Sequence, residues 1–108
     1  MKKLPSNFPY LSDMYADDYY PVHLVDKVRD AIQVVVSFVE AGGHSTEEIQ
    51  RQFDGMAETI NELQGEFEDA ESEIETGARE SIGATVSDIL EYFELDIDVE
   101  TAISARDW

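Results

Sequence analysis

Apolar residues recur at alternating intervals of four and three positions through the middle of the chain. The series is Ile49, Phe53, Met56, Ile60, Leu63 and Phe67. An α-helix turns once every 3.6 residues, so this spacing lines all of these side chains along one face. Ser45 and Glu48 precede the series with the spacing of a capping box, which satisfies backbone N–H groups at a helix start. The pattern predicts a long helix over residues 45–69 with one buried face.

A second long helix is predicted over residues 21–41. Its apolar series is Val25, Val28, Ile32, Val35 and Val39, widened by Leu24, Ala31, Val34 and Phe38. Pro21 suits a helix start, and Gly42-Gly43 suits the chain reversal after a helix end. Because so much of this helix is apolar, we expect it to be covered on most sides.

A third long helix is predicted over residues 72–94, with a short fourth helix over 98–105. The third begins with a second capping box at Ser72–Glu75 and carries Ile74, Ala78, Ile82, Val86, Ile89 and Phe93. Residues 1–20 hold Pro5, Pro9 and several aromatic side chains, which favours an irregular lid over the core. Short connections between the long helices favour antiparallel neighbours. The predicted fold is therefore a single all-α domain over residues 1–108, an up-down-up bundle of three long helices.

The chain is strongly acidic, with 25 Asp and Glu against 7 Lys and Arg and a net charge of −18. Such a field repels nucleic acid phosphates and anionic lipid, and it attracts basic proteins and cations. We therefore expect neither nucleic acid nor membrane partners. The sequence has no cysteine, and no apolar segment follows its basic first residues, so no signal peptide is expected and the cytoplasm is the expected location.

Glu66–Glu80 is the most acidic stretch of the chain. The second predicted capping box accounts for the acidic residues of its later half only, since carboxylates are favourable in the first turn of a helix. Its earlier half continues a series of carboxylates, here called the acidic ridge, made up of Asp54, Glu58, Glu62, Glu66 and Asp69. Like charges at i, i+4 disfavour a helix, and anions near a helix C-terminus oppose the macrodipole. The ridge is either a docking face for a basic partner or a solvated face that serves solubility alone.

Metal binding is an alternative for the acidic turn, where Glu66, Glu68, Asp69, Glu71 and Glu73 could bind a divalent cation weakly. Their spacing fits no calcium-loop motif, and Asp13–His23 lacks the central glycine of an EF-hand. The sequence has no Glu-x-x-His pair for a di-iron site, and His23 and His44 are too far apart for a helical zinc pair. We predict no specific metal site and no cofactor.

Catalysis has one candidate location, a pocket between the N-terminal segment and the second helix, formed by Tyr15, Tyr19, His23 and Asp26. The imidazole and nearby carboxylate could exchange protons. The alternative is that His23 packs at the edge of the aromatic segment beside a carboxylate. The sequence contains no set of nucleophile, base and orienting group that matches a known catalytic motif, so a non-enzymatic interpretation is favoured.

Four strings together resemble a family of small acidic bacterial proteins of unknown function. They are Tyr10–Tyr15 (YLSDMY), Tyr20–Lys27 (YPVHLVDK), Ser72–Glu80 (SEIETGARE) and Ala105–Trp108 (ARDW). The resemblance implies a bacterial source and a single compact domain, and it brings no established activity. It draws attention to residues within those strings, namely His23, Asp26, Lys27, Glu73, Glu75, Arg79 and Trp108.

The sequence thus leaves three functional hypotheses. The first is a protein-binding module that docks on a basic partner, in its sharpest form an immunity or antitoxin-type inhibitor. The second is a small enzyme or ligand-binding protein with the pocket at Tyr19, His23 and Asp26. The third is a weak cation site on the acidic turn. Homo-oligomerisation through the apolar stripes stays open.

Overall fold

Five α-helices make up the regular structure of the computed structural model, which describes residues 2–108. They are α1 (Ser12–Ala16), α2 (Val22–Ala41), α3 (Thr46–Asp69), α4 (Thr76–Tyr92) and α5 (Val99–Ala102). No strand occurs in the described part of the chain, so the all-α prediction is confirmed. Met1, the first residue of the predicted N-terminal segment, lies outside the described residues. No helix between residues 2 and 108 has the length and apolarity needed to cross a membrane.

The helices α2 and α3 form an antiparallel hairpin and pack against each other along their length. Gly42 ends α2 with a positive φ of 75°, a conformation that costs glycine little. The capping box that begins α3 is present as predicted. The Glu48 N–H donates to the Ser45 hydroxyl at 3.1 Å, and the Ser45 N–H donates to the Glu48 carboxylate at 2.8 Å. These two caps thus define where α2 ends and where α3 begins on either side of the hairpin turn.

The N-terminal segment runs antiparallel to α4 and enters the core. Contacts occur at three levels: the Tyr92 hydroxyl to the Lys3 carbonyl at 2.8 Å, the Leu11 N–H to the Thr85 hydroxyl at 3.1 Å, and the Tyr20 hydroxyl to the Glu75 carboxylate. Leu11 is fully buried. The predicted lid therefore also supplies core side chains.

The C-terminal segment crosses α3 and is held by three polar side chains of that helix. Gln50 donates to the Thr101 carbonyl at 3.0 Å, Asn61 donates to the Ala105 carbonyl at 3.1 Å, and Gln64 donates to Asp107 at 2.5 Å. Trp108 is buried against the body. Gln50 and Asn61 thus satisfy backbone carbonyl groups of a segment that has little helix of its own, and Gln64 binds a carboxylate of the same segment.

The helix α4 has α1 and α5 as its nearest backbone neighbours, whereas α2 and α3 contact each other directly. Buried side chains of the two short helices, Met14 and Ala102, join the same core cluster as the three long helices. Both terminal segments therefore help to connect α4 to the hairpin. The up-down-up order of three mutually packed long helices stays a prediction.

The predicted start of the third long helix at residue 72 is wrong, because α4 begins at Thr76. Ser72 is not its cap: the hydroxyl donates to the Tyr19 carbonyl at 2.9 Å. Glu75 caps the helix instead, with its carboxylate accepting the N–H groups of Gly77 and Ala78. The predicted short helix over 98–105 is reduced to Val99–Ala102, with Asp98 as its cap.

Candidate functional site

The acidic ridge lies on the side of α3 that faces away from the core. The buried side chains of α3 are Ile49, Phe53, Met56, Ala57, Ile60, Leu63 and Phe67. At 100° per residue, Glu58 and Glu62 fall nearly opposite these residues, and both are exposed. Periodicity alone therefore placed the ridge correctly relative to the core.

Two carboxylates of the ridge, Asp54 and Glu66, have partners within the chain. Asp54 accepts a hydrogen bond at 2.9 Å from Gln50, the residue that also holds the C-terminal segment. Glu66 forms an ion pair with Lys27 of α2 at 2.6 Å, with both side chains about half exposed. An exposed pair of this kind contributes little to stability. These two carboxylates have roles in orienting neighbouring elements.

The other three carboxylates of the ridge have no such partners. Among residues 2–108, no side-chain hydrogen bond or ion pair engages the carboxylates of Glu58, Glu62 or Asp69. Asp69 is the last residue of α3, where the negative end of the helix dipole disfavours an anion. Glu58 and Glu62 are four residues apart and repel each other. The fold of the described residues gives these charges no compensating contact.

An open groove lies beside the ridge, between α2 and α3. Its volume is about 560 Å³, and its apolar lining includes Ala31, Val34, Met56 and Leu63. Val34 is 61% exposed, which contradicts the expectation that α2 is covered on most sides. Gly55 and Thr59 line the α3 side and neighbour Asp54 and Glu58 in sequence. The groove meets the ridge at Lys27, which lines the groove and pairs with Glu66, and the ridge carboxylates are not among the residues that line it.

The proposed catalytic pocket is only partly assembled. The Tyr15 hydroxyl donates to Asp26 at 2.5 Å, and Arg29 lies 3.2 Å from the same hydroxyl and 3.4 Å from Asp26. Tyr19 turns away to pack edge-on against Tyr20, and its side chain is exposed. His23 is exposed on the first turn of α2. The structure thus brings Tyr15 and Asp26 into contact. The Tyr19 ring and the His23 imidazole are exposed at the surface.

The chemistry of Tyr15 is that of a structural hydrogen-bond donor. Burial, reinforced by the hydrogen bond to Asp26, raises the pKa of Tyr15 to about 12. A phenol so hard to deprotonate is poorly matched to proton transfer near neutral pH, where a catalytic group needs a pKa close to the working pH. Arg29 was not singled out from sequence, yet it closes this network by contacting Tyr15, Asp26 and Asp30.

The acidic turn between α3 and α4 does not gather its carboxylates. Within residues 2–108, no group of three or more His, Asp or Glu side chains converges as a cation site would require. Glu75 points instead at the start of α4 and at Tyr20. The hydrogen bonds from Tyr20 and from the N–H groups of Gly77 and Ala78 lower the pKa of the Glu75 carboxyl. This carboxylate belongs to a helix cap.

A family model settles the relationship of the chain to known sequences. It matches residues 5–108 and is described as a family of unknown function, DUF5713. The chain belongs to this family. Neither a search of curated proteins nor a search of solved structures gave a match. The match covers all five helices, so they fall within one family unit, and it brings no activity with it.

Proposed function

We propose that this chain is a non-enzymatic protein-binding module that docks on a basic partner through the acidic ridge of α3. The supporting observation is the exposed pair Glu58 and Glu62, whose charges oppose helix formation and engage no partner within the described residues. A surface that folding does not need is a candidate for recognition. The net charge of −18 adds a long-range attraction for cationic proteins.

In its sharpest form the proposed role is that of an immunity or antitoxin-type inhibitor that covers the basic active site of a nuclease toxin in the bacterial cytoplasm. Small size and acidity are common to such inhibitors and to this chain, which is an argument by analogy. Complementary charge would make association fast and strongly dependent on salt.

The test is capture of basic proteins from the native host at low salt, with identification by mass spectrometry. Glu58→Lys combined with Glu62→Lys reverses the centre of the ridge. Asp88→Lys combined with Glu91→Lys makes the same change in net charge on the exposed side of α4. We expect the ridge variant to lose a basic partner that the α4 variant keeps. Equal capture by both variants would mean that net charge alone, and not the ridge, is responsible.

A further inference from the structure

One ion pair joins the acidic ridge to α2. The Lys27 ammonium lies 2.6 Å from a carboxylate oxygen of Glu66, and the two residues are 39 positions apart in the sequence. Within residues 2–108, Glu66 is the one carboxylate of the ridge that forms an ion pair with a basic side chain. A lysine of this chain thus already contacts the ridge with the same chemical group that a basic partner would present.

The Lys27–Glu66 pair can be exchanged for another at little cost to the fold. The side chain of Lys27 is 50% exposed and that of Glu66 is 46% exposed. Such a pair contributes little to stability, because water solvates both charges when they separate. Lysine carries its charge on a flexible four-carbon stem, so the ammonium can leave Glu66 without a movement of the α2 backbone.

Glu66 extends the row of unengaged carboxylates by one turn of α3. Glu58, Glu62 and Glu66 are exposed and follow one another at i, i+4, so their side chains lie on one side of the helix. From Glu58 to Glu66 the row is about 12 Å long at 1.5 Å per residue. While Lys27 occupies Glu66, only Glu58 and Glu62 of this row are open to a partner.

We infer that Lys27 is an intramolecular competitor of the basic partner for Glu66, an autoinhibitory contact built into the acidic ridge. This inference rests on the proposed function and names a contact that regulates the same surface. A partner with a third cation, one helical turn beyond those that meet Glu58 and Glu62, reaches Glu66 only by displacing the Lys27 ammonium. The contact therefore lowers the affinity for a partner with three such cations and has little effect on a partner with two.

The experiment uses two alanine-rich helical peptides as probes. One carries three lysines at i, i+4 and i+8, which matches the spacing of Glu58, Glu62 and Glu66, and the other carries two lysines at i and i+4. Affinity is measured by calorimetric titration at low salt, and the location of binding by backbone amide shifts. Lys27→Met removes the competing charge and keeps an unbranched side chain. We expect it to bind the three-lysine peptide about two- to fivefold more tightly than the wild type does.

Lys3→Met is the matched control for net charge. Lys3 is exposed, and its carbonyl accepts a hydrogen bond from Tyr92 at the end of α4 that lies far from the α3–α4 connection. The substitution removes the same charge by the same change of side chain and leaves the Lys27–Glu66 pair in place. Any gain in affinity that Lys3→Met produces is the effect of net charge alone.

Glu66→Gln supplies a second control, because it removes the carboxylate for which Lys27 competes. In the Glu66→Gln background, Lys27→Met should tighten the three-lysine peptide no more than Lys3→Met does. The difference between the two backgrounds isolates the interaction of Lys27 with Glu66.

The outcomes separate this inference from the proposed function, which Glu58→Gln combined with Glu62→Gln tests by weakening both peptides. If that variant weakens them but Lys27→Met gains no more than Lys3→Met, the inference is overturned and docking on the ridge stands. An equal gain of Lys27→Met for the two-lysine and three-lysine peptides also overturns it. If neither peptide binds at low salt, or the Glu58 and Glu62 changes have no effect, docking on the ridge fails and the inference fails with it.

Discussion

The backbone N–H of Leu11 donates to the hydroxyl of Thr85 at 3.1 Å, and this buried contact connects residues 74 positions apart. Leu11 adopts a left-handed conformation, with φ 52° and ψ 40°. Such a conformation costs a residue with a side chain about 1–2 kcal/mol. Its fully buried side chain and its bond to Thr85 offset that cost. The N-terminal segment is thereby an integral part of the core.

Replacing Thr85 with valine tests this contact. The change keeps the shape but removes the acceptor, which leaves the Leu11 N–H buried and unsatisfied. We expect the free energy of unfolding to fall by about 1–3 kcal/mol, measured by urea denaturation. Thr59→Val is the control, because the Thr59 hydroxyl bonds only to the Gly55 carbonyl of its own helix at 3.0 Å and is exposed. Equal effects of the two substitutions would show that the contact to Leu11 contributes nothing.

The start of α4 offers a prediction about close packing. A Cβ added at Gly77 would lie 3.0 Å from the Tyr20 hydroxyl and 3.1 Å from the Glu75 carboxylate. We expect Gly77→Ala to displace this pair and lower the free energy of unfolding by about 1–2 kcal/mol. At Gly83, on the same helix, an added Cβ meets nothing within 4 Å. Gly83→Ala should therefore stabilise the protein by up to about 1 kcal/mol. Thermal melting of the two variants in parallel tests this, with a lower melting temperature expected for Gly77→Ala and a higher one for Gly83→Ala.

The cap at Glu75 predicts a dependence of stability on pH. The hydrogen bond from Tyr20 and those from the N–H groups of Gly77 and Ala78 lower the pKa of this carboxyl in the folded protein. A carboxyl with a lowered folded pKa stabilises the protein above its unfolded pKa, and the contribution is lost as pH falls through the folded value.

Glu75→Gln should accordingly be less stable than the wild type at neutral pH, and the difference should shrink as the pH falls below the ordinary range of glutamate. Denaturant unfolding at a series of pH values measures this difference. Glu73→Gln, at an exposed position two residues earlier, provides the comparison. A Glu75→Gln difference that stays constant from neutral to strongly acidic pH would contradict the assignment of Glu75 as a charged cap.

Local sequence patterns predicted the three long helices well, because an apolar helix face and a capping box are both formed by residues close together in the sequence. The apolar series from Ile49 to Phe67 and the Ser45–Glu48 box depend only on residues near in sequence. The start of α4 was mispredicted because Ser72 is held by the Tyr19 carbonyl, 53 residues away. A serine followed three positions later by glutamate has the same appearance whether or not such a distant acceptor is present.

The candidate surface was predicted in part for the same reason. Helical spacing identified the acidic ridge, but it could not show that Glu66 reaches Lys27 while Glu58 and Glu62 remain unengaged in the described residues. The groove was not predicted, because the sequence pattern places Val34 among the apolar residues of α2 that were expected to be covered. Its exposure depends on how far α3 covers α2, which only the packing of the two helices reveals.

The central claim is that Glu58 and Glu62 of the acidic ridge serve recognition and not folding, and the double variant Glu58→Lys with Glu62→Lys tests it most directly. The first introduced lysine would lie four residues after Asp54, and the second would lie four residues before Glu66, so two repulsive pairs become attractive. We predict that the free energy of unfolding, measured in urea, rises by about 1 kcal/mol while low-salt capture of a basic host protein is lost. A variant that is less stable than the wild type, or that captures the same protein equally well, would contradict the claim.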